Sequence, residues 1–190
     1  MSRIGNKLIK VPAGLNVAVN GNVVDIKGKV GEDKIEFNKE FVNVELKDGI
    51  IKVTRVNEEK KTKQIHGTTR ALLNDAIVGC STGFTKELEI VGIGYHAELK
   101  GTDIVLHVGY SHPVTIKCLE GVKISLKDPN HITVFGSDKF KVGQISALIH
   151  DTRRPEPYGG KGIKYKGEFI IRKEGKRAAA TGASAAPAAK

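Results

Sequence analysis

Alternation of apolar and polar residues runs through much of this chain and predicts strands. Asn22 to Gly28 alternates in this way, and Thr102 to Gly109 does likewise. Leu46 to Val53, with Asp48-Gly49 at its centre, reads as strand, tight turn and returning strand. Leu126 to Val134 repeats that arrangement around Asp128-Pro129-Asn130. A segment rich in helix formers follows each hairpin. Gly67, Ala71, Leu72, Leu73 and Asp75 of the first line up with Gly143, Ala147, Leu148, Ile149 and Asp151 of the second. The offset is 76 residues there and 80 at the hairpins, so the first copy carries a few extra residues at the start of its helix, around Glu58 to Lys63. The chain thus reads as the same unit twice.

Helical spacing gives each helix an apolar stripe: Ile65, Leu72, Ala76 and Ile77 in one, Val142, Ile145, Leu148 and Ile149 in the other. Asn57 is the expected cap ahead of Glu58-Glu59, and Ser137 ahead of Asp138, which places acidic groups at the positive helix end. A helix with one apolar stripe has to cover a sheet. The predicted fold is therefore α+β: two tandem duplicated domains, each an antiparallel sheet covered by one helix, plus a basic C-terminal extension. Small residues at Gly79-Cys80-Ser81-Thr82-Gly83 mark the boundary, giving a first domain over 1–81 and a second over 82–152. The extension covers 153–177. The Ala-rich end, 178–190, has Gly182, Pro187 and no apolar face, and reads as a disordered tail.

Charge changes this picture because it is unevenly placed. Residues 1–81 carry 14 basic and 10 acidic side chains, residues 82–150 carry 7 of each, and residues 151–190 carry 10 and 4. A neutral middle followed by a cationic end is a directed footprint for a polyanion. No segment approaches the run of about 20 apolar residues that crosses a membrane, and Met1 to Lys7 lacks the apolar stretch of a secretory signal. Cys80 and Cys118 form no CxxC pair and read as buried thiols. The expected location is cytoplasmic, with no membrane and no homo-oligomer.

The cationic end holds the candidate site. Arg153-Arg154-Pro155-Glu156-Pro157-Tyr158-Gly159-Gly160-Lys161-Gly162-Ile163-Lys164-Tyr165-Lys166-Gly167 has neither a helical nor a strand period. It can lay ammonium, guanidinium and aromatic groups along RNA. Arg153, Arg154, Lys161, Lys164 and Lys166 supply charge, and Gly160 and Gly162 let the backbone turn or approach phosphates. Tyr158 and Tyr165 either stack on bases or pack against the second domain. Arg172, Lys173, Lys176 and Arg177 extend the cationic set.

Other motifs take plainer readings. Gly92-Ile93-Gly94-Tyr95-His96-Ala97 matches G-x-G-x-x-A, but a hairpin with a turn at Gly101-Thr102-Asp103 follows where a dinucleotide site needs a helix. Gly159-Gly160-Lys161-Gly162 has the G-x-x-G pattern without the flanking helices of a K-homology domain. The six histidines, at 66, 96, 107, 112, 131 and 150, fall into no zinc spacing. No metal site, no cofactor and no catalysis is expected. A clamp for acidic proteins, or an enzyme using the Gly92–Ala97 loop, remains as an alternative to RNA binding.

At these residues the chain resembles a known family. Pro155-Glu156-Pro157-Tyr158 through Lys161-Gly162-Ile163-Lys164-Tyr165 is similar to the signature of ribosomal protein six of the large subunit, bacterial type. His66 to Asn74, Leu88 to Tyr95, Gly109 to Pro113, Val142 to Gln144 and Arg172 to Lys176 fit the same family, over a span from near Ser2 to about Lys176. The resemblance implies two duplicated α+β domains, no catalysis, and a structural constituent of the large ribosomal subunit that binds large-subunit rRNA. It implies a place near the sarcin–ricin loop and the base of the factor-binding stalk, with neighbouring ribosomal proteins and, transiently, translational GTPases nearby. By position, Lys161, Lys164, Tyr165, Arg172, Lys173 and Lys176 are the implied RNA contacts. Family members usually carry Lys where this chain has Gly159; Arg153 and Arg154 stand close by in sequence.

Overall fold

A computed structural model describes residues 4–175. The first half forms six strands and a helix: β1 (Ile9–Lys10), β2 (Asn16–Asn20), β3 (Val23–Lys27), β4 (Glu32–Glu36), β5 (Val42–Lys47), β6 (Ile50–Arg55) and α1 (Lys60–Ser81). The second half follows with β7 (Phe84–Val91), β8 (His96–Lys100), β9 (Asp103–His107), β10 (Val114–Ile116), β11 (Val122–Asp128), β12 (His131–Gly136), α2 (Lys139–Thr152) and β13 (Gly162–Tyr165). Every pairing is antiparallel. Each unit holds two sheets where the periodicity indicated one. The first has β1-β6-β5 and β2-β3-β4; the second has β11-β12-β7-β13 and β10-β9-β8.

The expected hairpins form for the expected chemical reasons. Asp48 and Gly49 both take positive φ, 49° and 70°, which gives the tight two-residue turn whose twist matches the strands it joins. Lys47 then pairs with Ile50 and Val42 with Arg55. In the second copy Asp128 pairs with His131 across Pro129-Asn130, with a register shift between Leu126 and Asp128.

Each helix lies on its own core. Leu73, Ala76, Ile77 and Cys80 of α1 meet Ile9, Val24, Ile26, Val42, Ile51 and Val53. Val142, Ile145 and Ile149 of α2 meet Leu88, Ile90, Leu106, Ile132, Val134 and Ile163. Leu72 and Leu148, placed in the stripes by spacing alone, are instead exposed. They are equivalent positions of the two copies. Each sits one residue, about 100° around the helix, from its buried neighbour, Leu73 or Ile149, so the stripe is narrower than expected. His66 is buried in the first unit, its Nε2–H donating to the Val53 carbonyl at 3.0 Å.

The helix starts differ from the sequence reading. α1 begins at Lys60 behind Glu59, with no side-chain cap, and Asn57 instead accepts a hydrogen bond from the Thr62 hydroxyl. In α2 the cap is Asp138 rather than Ser137, its carboxylate accepting from Phe140 N–H at 2.8 Å. α1 also outlasts α2 at its C-terminal end. Counted from the aligned Asp75 and Asp151, it runs to Ser81, whereas α2 stops at Thr152, shortly before Pro155. Proline disfavours helix in the residue before it and ends the second helix early.

Candidate nucleic-acid interface

The segment after α2 is ordered by the second unit. Gly162 has φ 140°, and a Cβ there would stand 2.7 Å from both the Arg154 carbonyl oxygen and the Pro155 Cα. Only glycine allows this crossing. The Ile163 N–H bonds the Arg153 carbonyl at 2.8 Å, and β13 then pairs with β7, Gly162 opposite Val91 and Tyr165 opposite Leu88. Ile163 is fully buried. A stretch read as lacking any strand period therefore contributes an edge strand and a core side chain.

Ahead of β13, residues 156–161 form a closed loop. Gly160 N–H bonds the Glu156 carbonyl at 2.9 Å, and Glu156 N–H bonds the Lys161 carbonyl at 2.8 Å. The chain returns to this loop further on: Lys173 N–H bonds the Pro157 carbonyl at 2.8 Å, and the Arg172 guanidinium lies against Gly160. Tyr158, Lys161, Arg172 and Lys173 are all exposed on or beside this loop. Among the described residues, Lys161, Arg172 and Lys173 make no ion pair. Their charge faces solvent.

The other candidate cations among the described residues are engaged. Lys164 pairs with Glu89 at 3.0 Å, and Lys166 pairs with Glu87, which also holds Lys127. The Lys166 hydrogen bond pulls the Glu87 carboxyl below its usual range. Arg154 bonds Asp151 at 2.9 Å and depresses that carboxyl, with His150 adding to the effect. Arg153 stacks its guanidinium 5.2 Å from the Tyr110 ring centre, and Tyr110 donates its hydroxyl to the Thr152 carbonyl at 2.9 Å. Tyr165 packs on the His150 ring, 5.1 Å between centres, beneath Lys86 Nζ. Of the two tyrosines, Tyr158 presents its ring and Tyr165 is half-buried. Gly160 and Gly162 are buried and shape the backbone. Lys176, Arg177 and the Ala-rich end lie outside the described residues.

The structure thus divides the predicted set into a free cluster and a braced edge. The partners that brace it, Glu87, Glu89 and Tyr110, were not legible beforehand, because they lie far upstream and only the β7–β13 pairing and the α2 terminus bring them close. Phe169 and Ile171, 87% and 76% exposed, add apolar surface beside the cations. Gly92-Ile93-Gly94 forms a turn between β7 and β8 with no helix after it, so it offers no pyrophosphate cradle.

Two copies of one α+β unit, with a cation-bearing loop clamped onto the second, make a charged two-unit scaffold. Its kinship is specific. The profile of the family described as ribosomal protein L6 matches residues 11–83 and 91–166, one stretch in each unit. The chain is 51% identical over 176 residues to the large ribosomal subunit protein uL6 of Streptococcus pneumoniae serotype 4, covering 93% of this chain and 98% of that protein. The protein of the same name from Streptococcus pneumoniae serotype 2 matches to the same extent. The chain belongs to the ribosomal protein L6 family. It is a structural, non-enzymatic constituent of the large ribosomal subunit and works in the cytoplasm, in the ribosome. No helix among the described residues is long and apolar enough to cross a membrane.

Proposed function

We propose that the chain grips large-subunit rRNA through the loop at 156–161 and the segment that returns to it, near the sarcin–ricin loop and the base of the factor-binding stalk. Translational GTPases then dock in its neighbourhood, and other ribosomal proteins flank it. The observation that carries this reading is the free cluster: Lys161, Arg172 and Lys173 exposed without carboxylate partners beside an exposed Tyr158. Unpaired cations on an ordered loop meet phosphates with little ordering cost, and counterion release drives the contact. Lys176 and Arg177 continue the same charge in sequence. The exposed Phe169 and Ile171 side chains fit a surface that is covered in the assembled particle. Arg153, Arg154, Lys164 and Lys166, held by tyrosine or carboxylates, present a fixed edge that matches RNA shape rather than base sequence, because side chains do not read the deep A-form groove.

The test is binding of an rRNA fragment containing the sarcin–ricin region across a salt series. The full chain is compared with Lys161→Ala/Arg172→Ala/Lys173→Ala. Truncation at His150 is unsuitable because it strips β13 and Ile163 from the core. The triple variant is expected to lower the slope of log K against log salt by about 2 to 3, near 0.7–0.9 per lost phosphate contact. Equal slopes would place the anchor elsewhere. Equal binding to unrelated structured RNA would remove the assignment to this rRNA region.

A further inference from the structure

The β8–β9 hairpin lies in a different sheet from β13 and carries a second cluster, separate from the cations proposed to meet rRNA. Its register sets His96 directly opposite His107. Glu98 stands two residues along β8 and therefore on the same side of the strand as His96. The two imidazoles are face to face, with ring centres 4.4 Å apart and planes 10° from parallel. His96 Nε2 is 3.6 Å from Glu98 Oε1. One donor atom from each of the three residues lies within 4.8 Å of the other two. His96 Nδ1 is 3.2 Å from the Gly94 carbonyl oxygen. A carbonyl only accepts, so Nδ1 carries the hydrogen of the neutral ring and Nε2 keeps its lone pair, on the side of Glu98. A hydrogen bond of this kind on the non-ligating nitrogen is what fixes the tautomer of metal-bound histidines.

We propose that His96, Glu98 and His107 form a binding site for a borderline divalent transition ion, zinc foremost. Two imidazole nitrogens and one carboxylate oxygen are a donor set that zinc accepts with three protein ligands, leaving a fourth tetrahedral position for water. Magnesium and calcium, which demand oxygen ligands, are poorly served. The His96 and Glu98 side chains are 41% and 55% exposed, so the ion enters directly from solvent. Tetrahedral ligands at zinc distances stand about 3.4 Å apart. The stacked rings hold their lone pairs in nearly parallel planes, so binding swings one imidazole out of the stack to meet the ion, a rotamer change for a half-buried side chain at the edge of the hairpin. Bound zinc ties β8 to β9 beside the turn at Gly92–Tyr95. No zinc spacing is visible in the linear sequence because the third ligand comes from across the hairpin.

Calorimetric titration of the full chain with zinc chloride at pH 7.5 tests the site. One equivalent is expected to bind. His96→Ala and His107→Ala are each expected to weaken binding by about tenfold or more, since even outer-sphere partners cost that much. Cys118→Ala should leave it unchanged. Circular dichroism checks that the variants remain folded. Zinc should also shift the imidazole NMR signals of His96 and His107 and spare those of His66, His112, His131 and His150. Absence of saturable binding, binding that survives both histidine substitutions, or equal binding of magnesium would overturn the proposal.

Discussion

Cys80 shows how far a single residue's chemistry is set by its surroundings. Its neighbours in sequence, Gly79 and Ser81, suggest only a small buried thiol. In the fold it is fully buried at the end of α1, and its Sγ–H points to the Ile26 carbonyl oxygen at 3.7 Å. Burial, with Asp33 and Glu32 adding their negative charge, pushes the thiol up to about 11. The pKa is raised on folding, so the folded chain stays protonated where the unfolded chain already ionises. The resulting stability is intact below the ordinary thiol range, near pH 9, and is lost as pH rises through about 11. Urea unfolding between pH 8 and 11 should therefore show a steeper alkaline loss for the wild type than for Cys80→Ala, whose own curve reflects the lysines and tyrosines. Cys118 is half-buried, and its thiol is raised by the same desolvation, so sequence reading described it less well than Cys80. The histidine cluster was hidden for a related reason. His96 and His107 are scattered along the chain, yet a turn centred on Gly101-Thr102 places them face to face.

At the scale of elements, the hairpins and helices were legible because each has its own local signal. Asp-Gly at a turn, alternation along a strand and a stripe along a helix all act within a few residues. β13 has no comparable signal. Its four residues are too few to alternate convincingly, and its pairing partner β7 lies about seventy residues upstream. What makes it a strand is the open edge of β7 and the pocket that takes Ile163. Ile163→Ala should accordingly destabilise the protein by about 2–5 kcal/mol in urea unfolding, as expected for a large buried aliphatic side chain. Lys161→Ala, two residues earlier and exposed, should stay within about 0.5 kcal/mol. The pair separates the core role of this segment from the RNA-facing role proposed for it. Cap positions shifted for a subtler reason. Several residues at each helix start can cap, and the geometry of the incoming strand selects among them.

At the scale of the whole molecule, the two units are joined where α1 ends and α2 begins. Lys139 pairs with Asp75 at 2.9 Å and lies over the Phe84 ring. Gly79 sits so close to Ser137 that a Cβ would overlap the Ser137 carbonyl oxygen. Gly79→Ala should therefore cost about 1–3 kcal/mol as the junction is forced apart. Gly67→Ala, in the same helix with open space around it, should be neutral or stabilising by up to about 1 kcal/mol. Thermal unfolding of the two variants checks this, and equal effects would deny the junction its role. The duplication, the α+β class, the hairpins and the family signature were all written in the chain, because period, turn chemistry and charge placement are local properties that survive without coordinates. Tertiary structure alone decided which cations stay free at Lys161, Arg172 and Lys173, which are tied to Glu87, Glu89 and Asp151, and which histidines meet. Those outcomes depend on the partners that long-range strand pairing brings within a few ångströms, and no short-range pattern encodes that distance.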